Sequence, residues 1–323
     1  MADKMKKVLI LGKGRIGKAV EYYLKKDSFL RIDFFSDKTK IEDYSLLLGA
    51  LAGEEGEKSL KLALRFGKDL IDISDVGYDF YLKYKKKIKE KGILVIPGCG
   101  FSPGLTNFIC GREATDNDVR EIEILAGTLS PKKFFFPFTW CFEDLIEGHK
   151  SKATLVRDGK KIKVEPFINY KKENIEGIEA ESYLADGLDS LSKTLKVDNM
   201  SYRVLRPLGF FDFFRYLSDY GFLKKKNIDF TKKILESRKE DNLSIGIVKI
   251  KTKNEEISWK MKTFSKKNEK MNSMQKITSV FPVSLIKVLL KEKFGQKGLI
   301  FPEELGKDKK LFDAVIKLVR KDI

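Results

Sequence analysis

Three glycines near the N-terminus, Gly12, Gly14 and Gly17, form the pattern G-x-G-x-x-G directly after an apolar run. In this pattern the first glycine permits a tight turn, the second lets the backbone approach a pyrophosphate, and the third lets a helix pack on the preceding strand. Free N–H groups at the helix N-terminus then bind the anion. The pattern predicts a dinucleotide-binding turn, and an ordinary strand-to-helix turn without a ligand is the alternative.

The elements on either side of these glycines have the order that such a turn needs. Residues 8–11 are an apolar run typical of a buried parallel strand. After the glycines, apolar side chains recur with the spacing of one helix face, at Ile16, Ala19, Val20, Tyr23 and Leu24. The sequence therefore predicts a strand, a turn and a helix in succession.

An acidic residue follows at the distance expected for ribose recognition. Residues 31–36 predict a second strand, and Asp37 comes 20 residues after Gly17. A carboxylate at this place binds the ribose hydroxyls of NAD. Lys38 and Lys40 are placed to reach a 2′-phosphate, so we expect NAD and leave NADP open. The other residues of the predicted cofactor site are Arg15, Ile16, Ala50 and Ser74.

Two carboxylates near the end of a later strand are the candidate catalytic acids. Asp72 and Asp75 stand at the carboxyl end of the strand predicted over residues 69–74, where ligands of open α/β sheets bind. An acid there can stabilise a positive charge on a bound ligand. Capping of the next helix is the alternative for Asp72, Ser74 and Asp75. His149 is the chain's only histidine, which argues against Ser-His-Asp and Cys-His chemistry.

Length and composition limit the class of protein. The 323 residues, 42% of them hydrophobic, suffice for a core and for two domains. No apolar run reaches the roughly 20 residues of a membrane span, and the first residues lack the apolar core of a signal peptide. We therefore expect a cytoplasmic protein with no membrane partner. Cys99, Cys110 and Cys141 lack the spacing of metal ligands, so we predict no metal and no disulfide framework.

The formal charge of +17 suggests nucleic-acid binding as one possibility. The lysine clusters are scattered, mixed with acidic residues and unaccompanied by any nucleic-acid motif; they lie at residues 85–87, 132–133, 160–161, 171–172, 224–226 and 266–267. Such a distribution is typical of a solvated surface. We therefore expect no nucleic-acid partner.

Strands and helices alternate over the first third of the chain. Strands are predicted over residues 44–52, 69–74 and 93–97, and helices over residues 57–66, 78–91 and from Pro103 onward. This alternation is typical of an α/β protein with a doubly wound parallel sheet. After residue 118 the pattern predicts a strand over residues 121–127, hairpins over residues 154–164 and 244–263, and helices over residues 274–290 and 311–320. The second region is therefore built on a largely antiparallel sheet.

Four segments carry motifs of a known family. The segment PGCGFSPGLTN at residues 97–107 resembles the G-F-x-P-G-L-[ST]-N segment of the saccharopine dehydrogenase-like family. Residues 138–160 are similar to that family's aromatic segment and hairpin, YRVLRPLGF at residues 202–210 to its T-L-R-Y-P-G-H stretch, and residues 281–305 to its helix ending in G-[LV]-x-x-P-E. The resemblance spans nearly the whole chain.

The resemblance implies a domain organisation and a reaction. A Rossmann domain over residues 1–118 is interrupted by an α/β substrate-binding and dimerisation domain over residues 119–273, and helices over residues 274–323 return to the first domain. The implied protein is a homodimer and an NAD(P)-dependent oxidoreductase acting on a carbon–nitrogen bond of an amino acid or amine. Hydride transfer to an imine needs a bound nicotinamide and an oriented iminium rather than an elaborate nucleophile.

Candidate substrate residues come from the same segments. Arg206 can bind a carboxylate through two parallel hydrogen bonds, with a structural salt bridge as the alternative. Trp140 can form an apolar or cation-stacking wall, or belong to the core. The glycine-rich turn with Gly100 and Phe101 permits close approach to the nicotinamide. Asn107 belongs to the site by resemblance alone.

One departure from the family leaves alternatives open. Phe210 stands where the family stretch has histidine. A deaminating amino-acid dehydrogenase of the lysine dehydrogenase type is the nearest alternative enzyme. A nucleotide-binding regulator without turnover is the alternative from another class.

Overall fold

A six-stranded parallel sheet and an eight-stranded mixed sheet organise the chain. The computed structural model describes residues 5–74, 76–135, 142–165, 167, 169–292 and 294–323. The chain divides into two compact units, Met1–Asn117 with Asp189–Leu195 and Thr278–Ile323, and Asp118–Leu188 with Lys196–Ile277. The segment Asp189–Leu195 thus joins the first unit, although the sequence analysis assigns it to the inserted domain. The substrate-binding and dimerisation roles of that domain stay predictions.

The elements of the described residues follow one another in this order. The strands are Lys6–Leu11 (β1), Leu30–Phe34 (β2), Leu46–Gly49 (β3), Asp69–Asp72 (β4), Leu94–Ile96 (β5), Val119–Leu129 (β6), Ala153–Arg157 (β7), Lys160–Val164 (β8), Lys171–Ile175 (β9), Ile178–Leu184 (β10), Asn199–Pro207 (β11), Asn242–Thr252 (β12), Glu256–Ser265 (β13) and Gly298–Leu299 (β14). The helices are Arg15–Leu24 (α1), Glu57–Phe66 (α2), Tyr78–Lys83 (α3), Lys85–Glu90 (α4), Leu105–Asp116 (α5), Phe142–Lys150 (α6), Leu191–Thr194 (α7), Phe210–Asp219 (α8), Ile228–Ser237 (α9), Ser273–Lys291 (α10), Pro302–Leu305 (α11) and Lys309–Asp322 (α12).

The first unit contains the parallel sheet, with strand order β14-β5-β4-β3-β1-β2. All of its strand pairs are parallel. The strands β1 and β3 to β5 are apolar and almost wholly buried, because helices cover both faces of such a sheet. The order reverses between β1 and β3, so the doubly wound Rossmann fold predicted from the sequence is confirmed.

The helices of the first unit follow the apolar spacing with one exception. The predicted stripe of α1 is buried at every position, and α2 has the predicted bounds and ends at Gly67 in the left-handed conformation, with φ 62°. The single helix predicted over residues 78–91 is instead two helices, α3 and α4. The break occurs at Tyr84, whose N–H bonds the carbonyl of Tyr81 three residues back and tightens the turn.

The second unit contains the mixed sheet, ordered β13-β12-β6-β11-β10-β9, with the β7–β8 hairpin paired to β11. Among the described strands of this sheet, only β6 and β11 pair in parallel, so the sheet is largely antiparallel as predicted. The β7–β8 turn has Asp158 and Gly159 at φ 49° and 73°, which is the geometry that favours Asp-Gly between two short strands.

The helix α10 is the one described helix that is long and apolar enough to cross a membrane by length and composition. Of its most apolar window, 72% is buried inside the protein. A mostly buried core helix passes the same test, so this is weak evidence for a span.

Candidate functional site

Two of the three motif glycines are required by the protein's own packing. Gly12 has φ +123°, and a Cβ there would lie 2.3 Å from the carbonyl oxygen of Ala50. A Cβ on Gly17 would lie 2.0 Å from the carbonyl oxygen of Gly12. These distances are far below van der Waals contact, so the turn from β1 into α1 closes only with glycine at both positions.

Gly14 differs from both of its neighbours in the motif. Its φ of −75° suits any residue, and no heavy atom of the protein lies within 4 Å of where its Cβ would be. The protein therefore does not need glycine here, whereas a closely approaching ligand does. Gly14 is also the N-cap of α1 and supplies no side-chain cap to the helix. The open space at an uncapped helix N-terminus, next to Arg15 and Ile16, fits a dinucleotide pyrophosphate.

The same turn lies at the switch point of the parallel sheet. The N–H of Ala50, just after β3, donates to the carbonyl of Leu11 at the end of β1, at 2.8 Å. The structure therefore brings the glycine turn and Ala50 together where the strand order reverses. Ligands of open α/β sheets bind in this crevice.

Asp37 and Lys38 occupy the middle of a tight turn that follows β2. The N–H of Thr39 donates to the carbonyl of Ser36, at 2.9 Å, and closes the turn. Both Asp37 and Lys38 are exposed. The strand β2 ends at Phe34, two residues earlier than predicted. A carboxylate and an ammonium thus stand side by side beyond β2, which is why the sequence leaves the choice of NAD or NADP open.

Asp72 ends β4 as predicted and is fully buried. Its carboxylate accepts hydrogen bonds from the Ser74 N–H at 2.8 Å and the Tyr81 hydroxyl at 2.9 Å. Burial raises the pKa of Asp72 to about 6, and these hydrogen bonds limit the rise. Asp72 therefore fixes the loop after β4 that carries Ser74. Asp75 lies outside the described residues.

The glycine-rich turn before α5 is closed on itself. Gly100 and Gly104 form a short bridge, and a Cβ on Gly104 would lie 2.1 Å from the Gly100 carbonyl oxygen. Phe101 is buried. Packing alone thus explains the glycine at position 104, and the predicted approach of Gly100 and Phe101 to a nicotinamide stays a prediction.

Asn107 lies at the centre of a buried hydrogen-bond group in the first unit. Its Oδ1 accepts from the Gly104 N–H at 3.4 Å, and its Nδ2 donates to Ser190 Oγ at 3.1 Å and to Glu303 at 3.4 Å. Glu303 also accepts from the Thr194 hydroxyl at 2.7 Å. Because Asn107 is 1% exposed, the structure shows it holding α5, α7 and α11 together. Its predicted contact with substrate stays a prediction.

Glu303 is a residue that the sequence analysis does not single out. It is fully buried, and burial raises its pKa while the surrounding hydrogen bonds lower it. The only signal in the sequence is the final acidic residue of the G-[LV]-x-x-P-E motif. Nothing local in the sequence indicates that its partners lie more than a hundred residues away.

Arg206 lies on β11 in the second unit and is 4% exposed. Its Nη1 donates to the carbonyl of Leu205 at 3.1 Å, and its guanidinium carbon is 5.4 Å from the centre of the Phe210 ring. Its buried Nε has no hydrogen-bond partner of normal geometry among the residues that the structure describes. Within the described ranges no carboxylate forms an ion pair with Arg206. The predicted alternative, a structural salt bridge, is therefore not seen among those residues, and Trp140 lies outside them.

The carboxylate opposite Arg206 in the sheet is already engaged. Glu181 on β10 pairs in register with Arg206, but its carboxylate accepts the N–H groups of Gly209 and Phe211 at the start of α8. Glu181 thus satisfies a helix N-terminus. The guanidinium of Arg206 is left with its charge uncompensated by the described part of the chain, which is an arrangement suited to an incoming anion.

Metal coordination has no support in the part of the chain that the structure describes, where no three His, Cys, Asp or Glu side chains lie close enough to hold an ion. Cys99 and Cys110 are buried thiols, and burial raises the pKa of both. Cys141 lies outside the described residues. The two described thiols are therefore poor metal ligands and poor nucleophiles.

The fold and the site define a class of protein: a Rossmann-type dinucleotide-binding unit and a second unit with a buried arginine that has no carboxylate partner among the described residues. The family model for the saccharopine dehydrogenase C-terminal domain matches residues 100–323, more than half of the chain. The chain therefore belongs to the saccharopine dehydrogenase family.

A solved structure with a TM-score above 0.5 shares this fold. The apo saccharopine dehydrogenase (L-Glu forming) from Saccharomyces cerevisiae has a TM-score of 0.76 at 14% identity, covering 98% of this chain and 97% of that one. The C. glutamicum DAP dehydrogenase in complex with DAP has a TM-score of 0.47 at 10% identity, covering 99% and 100%. Among curated protein sequences none matches this chain.

Proposed function

We propose that this protein is an NAD(P)-dependent oxidoreductase that acts on a carbon–nitrogen bond of an amino acid or carboxylated amine. Family membership supports an oxidoreductase, and the open space at Gly14 supports a bound dinucleotide. The observation that carries the substrate class is Arg206, a buried guanidinium without a carboxylate partner in the described part of the chain. A buried unpaired charge destabilises a fold, so binding of a ligand that neutralises it would be favourable.

The cofactor and two groups of residues would divide the work of the reaction. When bound, the nicotinamide supplies or accepts the hydride. The glycine turn and the N-terminus of α1 hold the pyrophosphate. Arg206 binds the substrate carboxylate through two parallel hydrogen bonds and so orients the reacting carbon. The iminium nitrogen already carries its proton, so hydride addition at carbon needs no side-chain acid at that step.

Asp72 has a positioning role in this proposal. Its carboxylate makes its hydrogen bonds inside the protein, to Ser74 and Tyr81. It therefore holds the loop after β4, where Ser74 is predicted to contact the cofactor. Asp75 remains the second predicted acid of the site.

The regulator without turnover is the second candidate function. One observation favours it: Phe210, which replaces the histidine of the family stretch, is fully buried in an aromatic cluster and cannot exchange a proton. Such a protein would keep dinucleotide binding and lose the reaction. The two functions share the first unit and differ in what the second unit does.

The test is oxidation of NADH and NADPH in the presence of keto acids or aldehydes crossed with amines. The proposal expects turnover only when a carboxylate is present on the substrate, and ammonia as the sole productive amine would select the deaminating type. A Gly14→Val variant is the blank, because it should not bind cofactor. Dinucleotide binding without turnover of any substrate pair would overturn the proposed enzymatic activity and favour the regulator.

The assembly and location of the protein are proposed on the family resemblance. We expect a homodimer formed through the second unit, in the cytoplasm. Light scattering during size-exclusion chromatography measures the mass directly. A monomer at assay concentration would remove the dimer and leave the proposed reaction untouched.

A further inference from the structure

The only histidine of the chain packs against the position where the family stretch would place one. His149 lies on α6 and is 7% exposed. Its ring centre is 5.4 Å from that of Phe210 and 5.1 Å from that of Phe214. Helix α6 thus places an imidazole beside α8, next to Phe210, which stands where the family stretch has histidine.

The orientation of this imidazole follows from its one hydrogen bond. His149 Nδ1 lies 2.7 Å from the carbonyl oxygen of Leu145. A carbonyl only accepts, so Nδ1 carries the proton and Nε2 presents a lone pair. Nε2 is buried and has no partner among the described residues. A buried ring nitrogen without a partner is uncommon in folded proteins and calls for an explanation.

Two further buried polar atoms near His149 also lack partners in the described ranges, Tyr183 Oη on β10 and Arg206 Nε on β11. The ring centres of His149 and Tyr183 are 5.8 Å apart. Burial and the Arg206 charge lower the pKa of His149, while the charge of Arg206 and a hydrogen bond from it oppose the rise that burial causes in the pKa of Tyr183. Three buried polar groups from three elements therefore lie together, and each has an atom without a partner of normal hydrogen-bond geometry among the described residues.

We propose that His149, Tyr183 and Arg206 together form a carboxylate-binding pocket in which the imidazole takes up a proton with the ligand. The inference rests on the proposed function, in which Arg206 receives the substrate carboxylate. Arg206 supplies charge and N–H donors, and the Tyr183 hydroxyl donates a further hydrogen bond. A carboxylate has only acceptor atoms, so the Nε2 lone pair would repel it. Protonation at Nε2 turns this contact into a charged hydrogen bond.

The other charged groups around His149 do not replace this proton. Glu181 on β10 is committed to the N-terminus of α8. Asp212 and Arg215 on α8, like Glu147 and Lys150 on α6 itself, are exposed to solvent. Burial and Arg206 hold the pKa of His149 well below its ordinary value, so the imidazole is neutral before the ligand arrives. A bound carboxylate cancels the Arg206 charge and raises that pKa.

The experiment is calorimetric titration of the full chain with glutarate, a simple dicarboxylate, between about pH 6 and pH 8. Measurement in two buffers of different ionisation enthalpy counts the protons taken up. We expect uptake approaching one proton per glutarate and a Kd that rises up to about tenfold per pH unit. Glutaramide, the uncharged diamide, should not bind.

Matched variants separate the imidazole from the rest of the pocket. His149→Gln keeps a donor without a titrating group, so it should bind glutarate with no proton uptake and no pH dependence. Tyr183→Phe should weaken binding about tenfold and keep the proton uptake. Melting temperatures establish that both variants are folded. Proton uptake unchanged in His149→Gln, or no glutarate binding by the folded wild type, would overturn the inference.

Failure of the carboxylate-binding pocket can be distinguished from failure of the proposed function. Glutarate binding with proton uptake, in a protein that turns over no substrate pair, supports the pocket and contradicts the proposed reaction. Turnover whose KM for the carboxylated substrate is independent of pH and of His149→Gln supports the reaction and removes the pocket.

Discussion

A Cβ on Gly17 would lie 2.0 Å from the carbonyl oxygen of Gly12, so these two residues hold the turn between β1 and α1 in one conformation. Gly14 stands between them with open space at its Cβ position. The motif therefore combines two structural glycines with one that is required only when a ligand is present. This difference makes the phosphate-binding assignment testable by substitution.

Gly14→Val should reduce dinucleotide affinity by at least roughly 30-fold, about 2 kcal/mol, because the isopropyl group would fill the space that the pyrophosphate needs. The fold should lose only about 1 kcal/mol, since valine is a poorer N-cap than glycine. Calorimetric titration with NADH and NADPH gives the affinity, and thermal unfolding gives the stability.

Gly17→Ala is the matched control for that change. Its Cβ would meet backbone rather than open space, so it should destabilise the protein by about 3 kcal/mol even without a ligand. Cofactor affinity in Gly14→Val equal to that of the wild type would show that the dinucleotide does not lie on this turn.

Asp37→Ser should shift cofactor preference toward NADP by about tenfold, because it removes a negative charge that repels the 2′-phosphate beside Lys38. The measured quantity is the ratio of the two dissociation constants. Asp43→Ser removes an exposed carboxylate elsewhere in the same unit and should leave the ratio unchanged. A wild type that already prefers NADP would contradict the ribose role of Asp37.

The parts of the fold that the sequence predicts are those specified by neighbouring residues. The β1–turn–α1 unit follows from glycine spacing and one apolar stripe, α2 from its stripe and from Gly67, and the β7–β8 hairpin from Asp158 and Gly159. Each signal lies within about ten residues of what it predicts. The break at Tyr84 was missed because both halves of the helix keep the same apolar period.

The buried polar groups could not be predicted from the sequence, because their partners lie far apart along the chain. Glu303 meets Asn107 across 196 positions of the sequence, and His149 shares its surroundings with Tyr183 and Arg206 on two strands. Arg206 could be identified from the sequence, because its motif is recognisable and its chemistry is specific. The role of His149 could not be predicted, because a lone histidine in a sequence shows neither which ring nitrogen is bonded nor what surrounds it.

Asp72 should make the free energy of unfolding fall as the pH rises through the acid range. Its folded-state pKa of about 6 lies above the ordinary value of 3.8, so the stability contributed by the protonated carboxyl group is fully present below pH 3.8 and is lost as the pH rises through about 6. The loss should reach about 3 kcal/mol. Asp72→Asn should remove this slope from the denaturant-unfolding free energy between about pH 4 and pH 6.

Tyr81→Phe should steepen the pH dependence of stability that Asp72→Asn removes. The Tyr81 hydroxyl stabilises the ionised carboxylate of Asp72, so its removal should raise the pKa of Asp72 further and enlarge the slope. A slope that is the same in the wild type and in Asp72→Asn would mean that another group dominates the pH dependence.

Arg206→Met should leave the fold as stable as the wild type or make it more stable. Methionine keeps much of the side-chain volume and removes a buried charge that has no carboxylate partner in the described part of the chain. Urea unfolding measures the difference. A loss of about 3 kcal/mol or more would indicate that Arg206 is held by an internal ion pair, and it would cease to be a candidate for substrate binding.

The series Arg206, Arg206→Lys and Arg206→Ala should separate substrate binding from cofactor binding. Loss of a bidentate, largely desolvated pair with a carboxylate should cost about 2–4 kcal/mol in the transition state, a fall in kcat/KM of roughly 30- to 1000-fold. Lysine restores the charge without the fork of donors, so it should be intermediate. Dinucleotide affinity, measured by titration, should stay constant across the three proteins, because Arg206 belongs to the second unit and the glycine turn to the first. An equal loss of cofactor and substrate binding in Arg206→Ala would contradict this role.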